Sequence, residues 1–491
     1  MKKFLVVLVL LLVIFLSGCG SLSISDAGKN VNEYNLKLAY DDTNKELNGD
    51  EDISYINTSD NILKEVYFHL YPNAFRQGSQ YPVVSVANYE KAYPNGASYG
   101  HIDILNVTSN SVPYEYYIGG YDDNILVVKL ADELYPNDRI DLNIQFKVKL
   151  PNINHRFGYG ENCINFGNFY PIACMFENNK FVTDPYSSNG DPFYSDIANY
   201  KATITFDKKF VIASTGEIKE EESGGNKIAK IEAKAVRDFM FVLSEKFKVI
   251  EEKCQGVNVK YYYYNDKSPE KSLKAGMDTI ETNNQLIGKY PYSTLSVVES
   301  NFVHGGMEYP MIVLISDEIE DNSTYLNVII HEVSHQWWYA VVGNNQYSHG
   351  WLDEGLTEYT TAVFYEKNEG YDLDKDIVIS NGVNSYTVFV KVYKSVYGSI
   401  DTSMTRSLGE FQTEPEYVYI AYLKGMLMFD SLRNILGEDL FFKCLKTYYS
   451  EYAFKEAKPE NLICVFERVC GRNLETFFDS WINGEVVIMN G

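Results

Sequence analysis

The pattern His331-Glu332-Val333-Ser334-His335, followed by Glu354, constrains this chain more than any other feature of its sequence. Two histidines four residues apart lie one above the other on the same face of a helix. The apolar residues around the pair predict a buried helix, and buried polar side chains need a partner such as a metal. Glu354 begins the next predicted helix, so two helices must pack together if the three side chains meet.

These residue types predict a zinc site. Zinc is bound by histidine nitrogen and carboxylate oxygen, and catalytic sites use three protein ligands with one open position. We therefore predict His331, His335 and Glu354 as the ligands of one zinc ion per chain. Glu332 is predicted to be the base that takes a proton from water. The alternative is structural: two histidines and a salt-bridged glutamate on a partly buried helix face.

Three more polar side chains lie close to the motif in sequence. Glu358 follows Glu354 by four residues and faces the same way on a helix. It either holds a ligand imidazole in its metal-binding tautomer or faces solvent, and the sequence leaves both open. His304 and His349 are expected in loops or beside the ligands, because three ligands already complete the set.

The predicted secondary structure of the chain changes from strands to helices near residue 250. Alternating apolar and polar residues between closely spaced turns predict an all-β, antiparallel front half over 31–250. Residues 251–491 are predicted to be mainly helical, which makes the whole a multidomain α+β chain. Predicted strands include 102–107, 124–130, 140–149, 200–206, 239–243, 257–264 and 295–299, and predicted helices include 268–289, 327–342, 354–366 and several from 417 onward.

The N-terminus has the features of a targeting segment. Its uncharged apolar run at 4–16 is shorter than the roughly 20 residues that cross a membrane and is typical of a signal peptide, here 1–18. Leu16-Ser17-Gly18-Cys19 resembles a bacterial lipobox, which implies a lipid on Cys19 and a tether at 19–30. The chain would then be anchored in the cell membrane at its extracytoplasmic face. The alternatives are an ordinary signal peptide with a chance cysteine, and an uncleaved anchor.

Charge and cysteine content exclude other classes of function. The net charge is −24 and no basic cluster is present, so nucleic-acid binding is not expected, because it requires clustered cations. Six cysteines besides Cys19 permit disulfides outside the cytoplasm without requiring them. No Cys-x-x-Cys occurs, so a structural zinc knuckle is not expected.

Two further segments give the chain a specific resemblance. Gly305-Gly306-Met307-Glu308-Tyr309-Pro310 precedes the histidines, and Tyr422-Leu423-Lys424-Gly425 follows Glu354. Together with the zinc motif they resemble the aminopeptidase N family of gluzincin metallopeptidases, which includes leukotriene hydrolase. The resemblance implies that Gly305, Gly306, Met307 and Glu308 line the substrate cleft, with Glu308 binding the free α-amino group. It also implies that Tyr422 donates to the oxyanion of the tetrahedral intermediate.

The front half also looks like this family's bacterial members, through segments 68–73, 167–171, 184–186 and 213–216. The implied fold is an N-terminal antiparallel β-sandwich or saddle domain (31–250) before a thermolysin-like, mainly helical catalytic domain (251–491). Three features depart from the family pattern. The chain stops where larger members continue into a small β domain and a long helical C-terminal domain, so the resemblance implies a short bacterial member with a more open cleft. Tyr309-Pro310 stands where an asparagine is common, and the front-domain Gln-x-Glu motif that helps bind the amine in many members is not found.

The predicted function is therefore zinc-dependent removal of N-terminal residues from peptides with a free N-terminus, outside the cell. An open cleft would favour an endopeptidase or oligopeptidase of the same fold instead. From a different class, the chain could be a catalytically idle surface-binding lipoprotein. Loss of a ligand, of Glu332 or of Tyr422 would support that alternative, and all of them are present.

Overall fold

The computed structural model of the chain describes residues 23–484 and 486. Cys19 and the predicted signal peptide lie outside these residues. None of the helices in the described part is long and apolar enough to span a bilayer. The six cysteines of the described part are all unpaired, so the fold is held by its core rather than by disulfides.

An eight-stranded sheet is the largest element of the front half. Its strands alternate buried and exposed residues, because one face covers the core and the other faces solvent. Most neighbours are antiparallel, as the sequence predicts, but Asn32–Asp41 pairs in parallel with Ala198–Asp207. Local alternation carries no information about which distant strands pair. In spatial order the strands are Glu217–Ser223, Asn226–Val236, Ala198–Asp207, Asn32–Asp41, Glu46–Ile56, Arg139–Lys149, His101–Ser109 and Val112–Pro113.

The front half also contains two four-stranded sheets and a two-stranded pair, Phe176–Glu177 with Lys180–Phe181. Aromatic rings fill the space between the sheets, as where Tyr40 of the large sheet packs edge-on against Phe166 with ring centroids 5.4 Å apart. One cluster of buried apolar side chains continues from here into the helical half, so the two halves share a core. One sheet contains Val211–Ser214, Phe241–Ser244, Ile164–Phe166 and Phe157–Tyr159, and the other Ile172–Ala173, Leu63–His69, Ile125–Leu134 and Tyr116–Gly119.

A five-stranded sheet opens the second half. In spatial order its strands are Lys248–Cys254, Val257–Tyr263, Thr294–Ser300, Ile312–Ser316 and Gly306–Met307. The first strand begins slightly before the predicted boundary at 251. The third and fourth strands are buried along their whole length, as parallel strands covered on both faces should be. Gly306–Met307 lies antiparallel at the border of the sheet and is termed the edge strand.

Helices form most of the remaining structure. The histidine pair lies at the end of Asn322–Ser334 (the histidine helix), and Glu354 lies in the first turn of Trp351–Lys367 (the glutamate helix). Tyr422 lies in Val418–Lys424, a π-helix (the tyrosine segment). The other long helices are Pro269–Leu286, Lys375–Tyr397, Gly425–Leu436, Glu438–Tyr452, Pro459–Cys470 and Glu475–Ile482.

The prediction of a helix at 327–342 was wrong at both ends. The histidine helix begins at Asn322, because the side chain of Asp321 accepts from Thr324 N and caps it. It ends at Ser334, and the tryptophans that suggested a longer helix are buried in the turns that follow. Apolar residues therefore marked burial correctly but not the helix boundary.

Candidate active site

Three predicted ligands meet between the histidine helix and the glutamate helix. Nε2 of His335 lies 3.2 Å from Nε2 of His331 and 3.1 Å from Oε2 of Glu354. Nε2 of His331 lies 3.4 Å from the same carboxylate oxygen. All three side chains are buried. Two nitrogens and one oxygen that face a common point form the ligand set of a catalytic zinc site.

The opposite nitrogens of the imidazoles already have partners. His331 Nδ1 donates to Glu358 Oε2 at 2.9 Å, and His335 Nδ1 donates to the carbonyl of Trp338 at 2.9 Å. Because Nδ1 carries the proton in both rings, each Nε2 keeps its lone pair for a metal. Glu358 thus contacts His331. This contact corresponds to the first of its two predicted roles, which is to hold a ligand imidazole in its metal-binding tautomer.

The charges of the cluster also suit a cation. Burial raises the pKa of Glu354, but His335 and His331 lower it more strongly. The resulting pKa of Glu354 is about 2. Burial lowers the pKa of His335, while Glu354 and Glu308 raise it to about 10. The buried carboxylates therefore call for positive charge, which a divalent ion supplies when it displaces protons from its ligands. The residues present fit a zinc ion.

Glu332 lies between the ligands and the edge strand. A Cβ on Gly306 would lie 2.3 Å from Glu332 Oε1, so glycine is required for this approach. Glu332 Oε2 is buried and has no hydrogen-bond partner among the described residues. Burial raises the pKa of Glu332 to about 7, against the effect of the two histidines. A carboxylate with one unpaired oxygen beside a metal site can accept a proton from water.

Tyr422 completes this end of the cleft. Its hydroxyl donates to Glu354 Oε1 at 2.5 Å, and its ring lies parallel to that of His331 with centroids 5.8 Å apart. The tyrosine segment approaches closely because two glycines meet where the helices cross: a Cβ on Gly425 would lie 2.7 Å from the Cα of Gly355. The hydroxyl is thereby aimed at the metal ligands, where it can donate to a developing oxyanion.

The other end of the cleft carries carboxylates with a different environment. Glu308 follows the edge strand, is 3% exposed, and accepts from Gln346 Nε2 at 2.6 Å. Gln346 Nε2 also donates to Asp353 Oδ2 at 2.8 Å. Burial raises the pKa of Glu308 well above its usual range, and the charge of Asp191 adds to this. A buried carboxylate in this setting binds a cation strongly.

Asp191 supplies a second carboxylate from the front half. Oxygen atoms of Asp191, Glu308 and Glu354 all lie within 4.8 Å of one another. The guanidinium of Arg156, itself 5% exposed, forms an ion pair with Asp191. The front domain thus contributes an acidic group to the cleft although the Gln-x-Glu motif is missing.

Sequence reasoning missed Asp191, Arg156 and Gln346. Asp191 lies in an irregular segment, so neither periodicity nor motif spacing marks it. His304 and His349 do not join the ligand cluster, as expected. His304 Nδ1 donates to Glu414 Oε1 at 3.0 Å at the rim, and His349 ends the short helix Gln346–His349.

The cleft between these two ends has a volume of about 320 Å³ and is lined by both halves. Arg156, Asp191 and Tyr186, whose side chains are largely buried, line the cleft near Glu308. A second cavity of about 310 Å³ lies next to the cleft, and Asn327, Glu358 and Leu423 line both. A chain-like ligand can therefore lie with one terminus at the carboxylates and the remainder beyond the metal ligands.

Comparisons with known proteins give matches that lie mainly in the helical half of the chain. Residues 272–481 match the model of the Peptidase family M1 domain. Aminopeptidase M1-D of Oryza sativa subsp. japonica is 26% identical over 211 residues, which are 39% of this chain and 23% of the rice protein. Leukotriene A-4 hydrolase of Xenopus laevis is 25% identical over 207 residues, 40% of this chain and 31% of that protein. The chain thus spans less than a third of the length of these relatives.

The fold is shared with solved structures over nearly the whole chain. An M1 zinc metallopeptidase from Deinococcus radiodurans has a TM-score of 0.66 at 15% identity, covering 95% of this chain and 98% of that one. A mutant of an M1 zinc metallopeptidase from the same organism, solved with a Tyr-Ser-Ala substrate, has a TM-score of 0.64. At this identity the likeness concerns the fold alone.

Proposed function

We propose, from the M1 domain match and the site geometry, that this chain is a zinc-dependent aminopeptidase. It would remove N-terminal residues from peptides with a free N-terminus, with His331, His335 and Glu354 holding one zinc ion. The observation that carries the proposal is the pair of carboxylates, Glu308 and Asp191, within reach of the metal ligand Glu354 in the same cleft. A protonated α-amine placed there leaves the first peptide bond beside the zinc site.

The residues of the metal end have complementary tasks in the hydrolysis. Zinc, when bound, would polarise the scissile carbonyl and make water at the site more acidic. Glu332 takes a proton from the water whose oxygen bonds to the carbonyl carbon, and Tyr422 donates a hydrogen bond to the oxyanion. As the carbon–nitrogen bond breaks, Glu332 passes the proton to the leaving amine.

The amine end explains why the substrate would be read from its N-terminus. An ammonium group donates up to three hydrogen bonds and balances negative charge. An acetylated nitrogen is uncharged and donates only one hydrogen bond. Arg156 already compensates Asp191, so the end as a whole suits one additional positive charge.

The experiment compares one peptide with a free and with an acetylated N-terminus, followed by product mass spectrometry. We expect stepwise loss of N-terminal residues from the free peptide alone, abolished by a chelator and restored by zinc. Glu308→Gln should reduce cleavage of the free peptide much more than any cleavage of the acetylated one. Internal cleavage of both peptides at equal rates would contradict the proposal and favour an open-cleft endopeptidase, for which the second cavity leaves space.

We also propose anchoring to the outer face of a bacterial membrane through a lipid on Cys19. This rests on the N-terminal sequence alone. An alkyne-labelled fatty acid fed to the bacterial host should label the wild type and not Cys19→Ser. Equal labelling of both, or of neither, would contradict the anchor without affecting the proposed chemistry.

A further inference from the structure

Tyr309, the residue after Glu308, points away from the cleft into the front half. Its side chain is fully buried, and its hydroxyl donates to Asn168 Oδ1 at 2.6 Å. Asn168 Nδ2 in turn donates to Asp238 Oδ2. A chain of hydrogen bonds thus joins the segment that carries Glu308 to the core of the other half. This gives a role to the tyrosine that departs from the family pattern.

Asn168 and its neighbour Gly167 form a turn that also connects, in the other direction, to Asp191. Gly167 N donates to the carbonyl of Arg156 at 2.8 Å, and the guanidinium of Arg156 pairs with Asp191. Contacts therefore run from Glu308 through residues 167 and 168 to Asp191. Because the two carboxylates belong to different halves, this turn is a direct connection between their positions.

The turn is shaped for close approach of the tyrosine. A Cβ on Gly167 would lie 2.2 Å from the hydroxyl of Tyr309, so a larger residue would push the ring away. Asn168 has a φ of 51°, a left-handed conformation that asparagine adopts more readily than most residues. Gln336 Nε2 donates to the carbonyl of Tyr309 at 3.0 Å, so this residue is held from the zinc side as well.

We propose that Tyr309 and Asn168 are positioning residues that fix the separation of Glu308 and Asp191, and that preference for a free α-amine depends on their hydrogen bond. The inference rests on the proposed aminopeptidase function. Two carboxylates bind one ammonium well only when oxygens of both lie within hydrogen-bond distance of it. A small displacement of one half would weaken amine binding and leave the zinc ligands, which lie in a single half, in place.

Two zinc-binding inhibitors that differ only in the α-amine measure this dependence: leucine hydroxamate and 4-methylpentanohydroxamic acid. Calorimetry on the zinc-loaded enzyme gives the ratio of their Kd values without any turnover. For Tyr309→Phe we expect the preference for the amine to fall about three- to tenfold, the effect of one lost hydrogen bond. Zinc content and affinity for the amine-free compound should not change.

A partner exchange provides the rescue. Asn168→Asp sets two carboxyl groups face to face and should lower the preference at least as much as Tyr309→Phe. Adding Asp238→Asn places an amide donor at position 238 opposite the carboxylate acceptor at position 168. The preference for the amine should then return to within about twofold of wild type. Tyr200→Phe is the matched control. The Tyr200 hydroxyl lies 2.9 Å from that of Tyr170, at the end of the hydrogen-bond series that is farthest from Tyr309.

The outcomes separate this inference from the proposed function. Equal affinity of the wild type for both inhibitors would overturn amine recognition itself. A wild type that prefers the amine, with an unchanged ratio in Tyr309→Phe and Asn168→Asp, would overturn the positioning role alone. Equal loss of preference in Tyr200→Phe would mean general loosening of the front half and would also overturn that role.

Discussion

The two ends of the cleft are built in different ways. At the metal end, His331, His335 and Glu354 come from two helices close together in the sequence, and their geometry depends on local packing. At the amine end, Glu308 follows an edge strand and Asp191 comes from an irregular segment of the other half. The first end needs one half only, whereas the second exists only when both halves are docked. Bond cleavage and substrate selection can therefore be disturbed independently.

The largest expected effect removes the chemistry and keeps the metal. Glu332→Gln should lower kcat by roughly 10²–10⁴-fold, because the amide cannot accept the proton from water. Zinc content, measured by atomic emission, should stay at one per chain. Glu320→Gln, an exposed change just before the histidine helix, is the control. Unchanged turnover in Glu332→Gln would contradict its assignment as the base.

Tyr422→Phe tests the second group at the metal end. Loss of one oxyanion donor should lower kcat by roughly 10²–10³-fold with little change in KM. Tyr419→Phe removes a hydroxyl from the same segment, in a ring that stacks on Phe389, and should keep normal kinetics. If both variants lose activity equally, Tyr422 has no special role in the reaction.

Asp191→Asn should affect selection and spare the chemistry, which is the sharpest test of the comparison. Loss of one charged hydrogen bond to the substrate amine should lower kcat/KM on free-amine peptides by roughly 10–100-fold. Affinity for 4-methylpentanohydroxamic acid, which has no amine, serves as the internal control and should not change. A parallel loss of affinity for this compound would mean that the two ends are not separable.

Glu358→Gln should change turnover least when zinc is saturating. The amide can still accept from His331 Nδ1 but no longer carries the charge that strengthens the ligand, so zinc affinity should fall roughly 10–100-fold. Competition with a chelator measures this directly, with Glu369→Gln as an exposed control. Unaltered zinc affinity would show that the contact at 2.9 Å has no supporting role.

Sequence reasoning succeeded where the information is local. The histidine spacing and the following glutamate predict three side chains that the structure brings together, since helix geometry relates residues four apart. The α+β division is likewise visible in the sequence, because alternation and helical periodicity differ.

Sequence reasoning failed where structure is made by distant contacts. The parallel pairing of Asn32–Asp41 with Ala198–Asp207 and the entry of Asp191 into the cleft both depend on how the halves dock. The end of the histidine helix at Ser334 was also missed, because buried tryptophans extend the apolar pattern beyond it. Glu358 needed coordinates to decide between two roles that periodicity allows equally.

The position of the Tyr422 hydroxyl depends on the number of residues in the tyrosine segment as well as on their identity. A π-helix forms hydrogen bonds between residues five apart instead of four, and it is frequent at functional sites. Deleting one residue ahead of Tyr422, such as Ile420, would restore α-helical spacing and turn the ring by about 100° around the axis. Every letter of Tyr422-Leu423-Lys424-Gly425 would survive, yet the hydroxyl would no longer reach Glu354. A homologue can therefore carry an intact motif and still have an inactive site. The position of a gap in this segment of a sequence alignment distinguishes such a homologue from an active one.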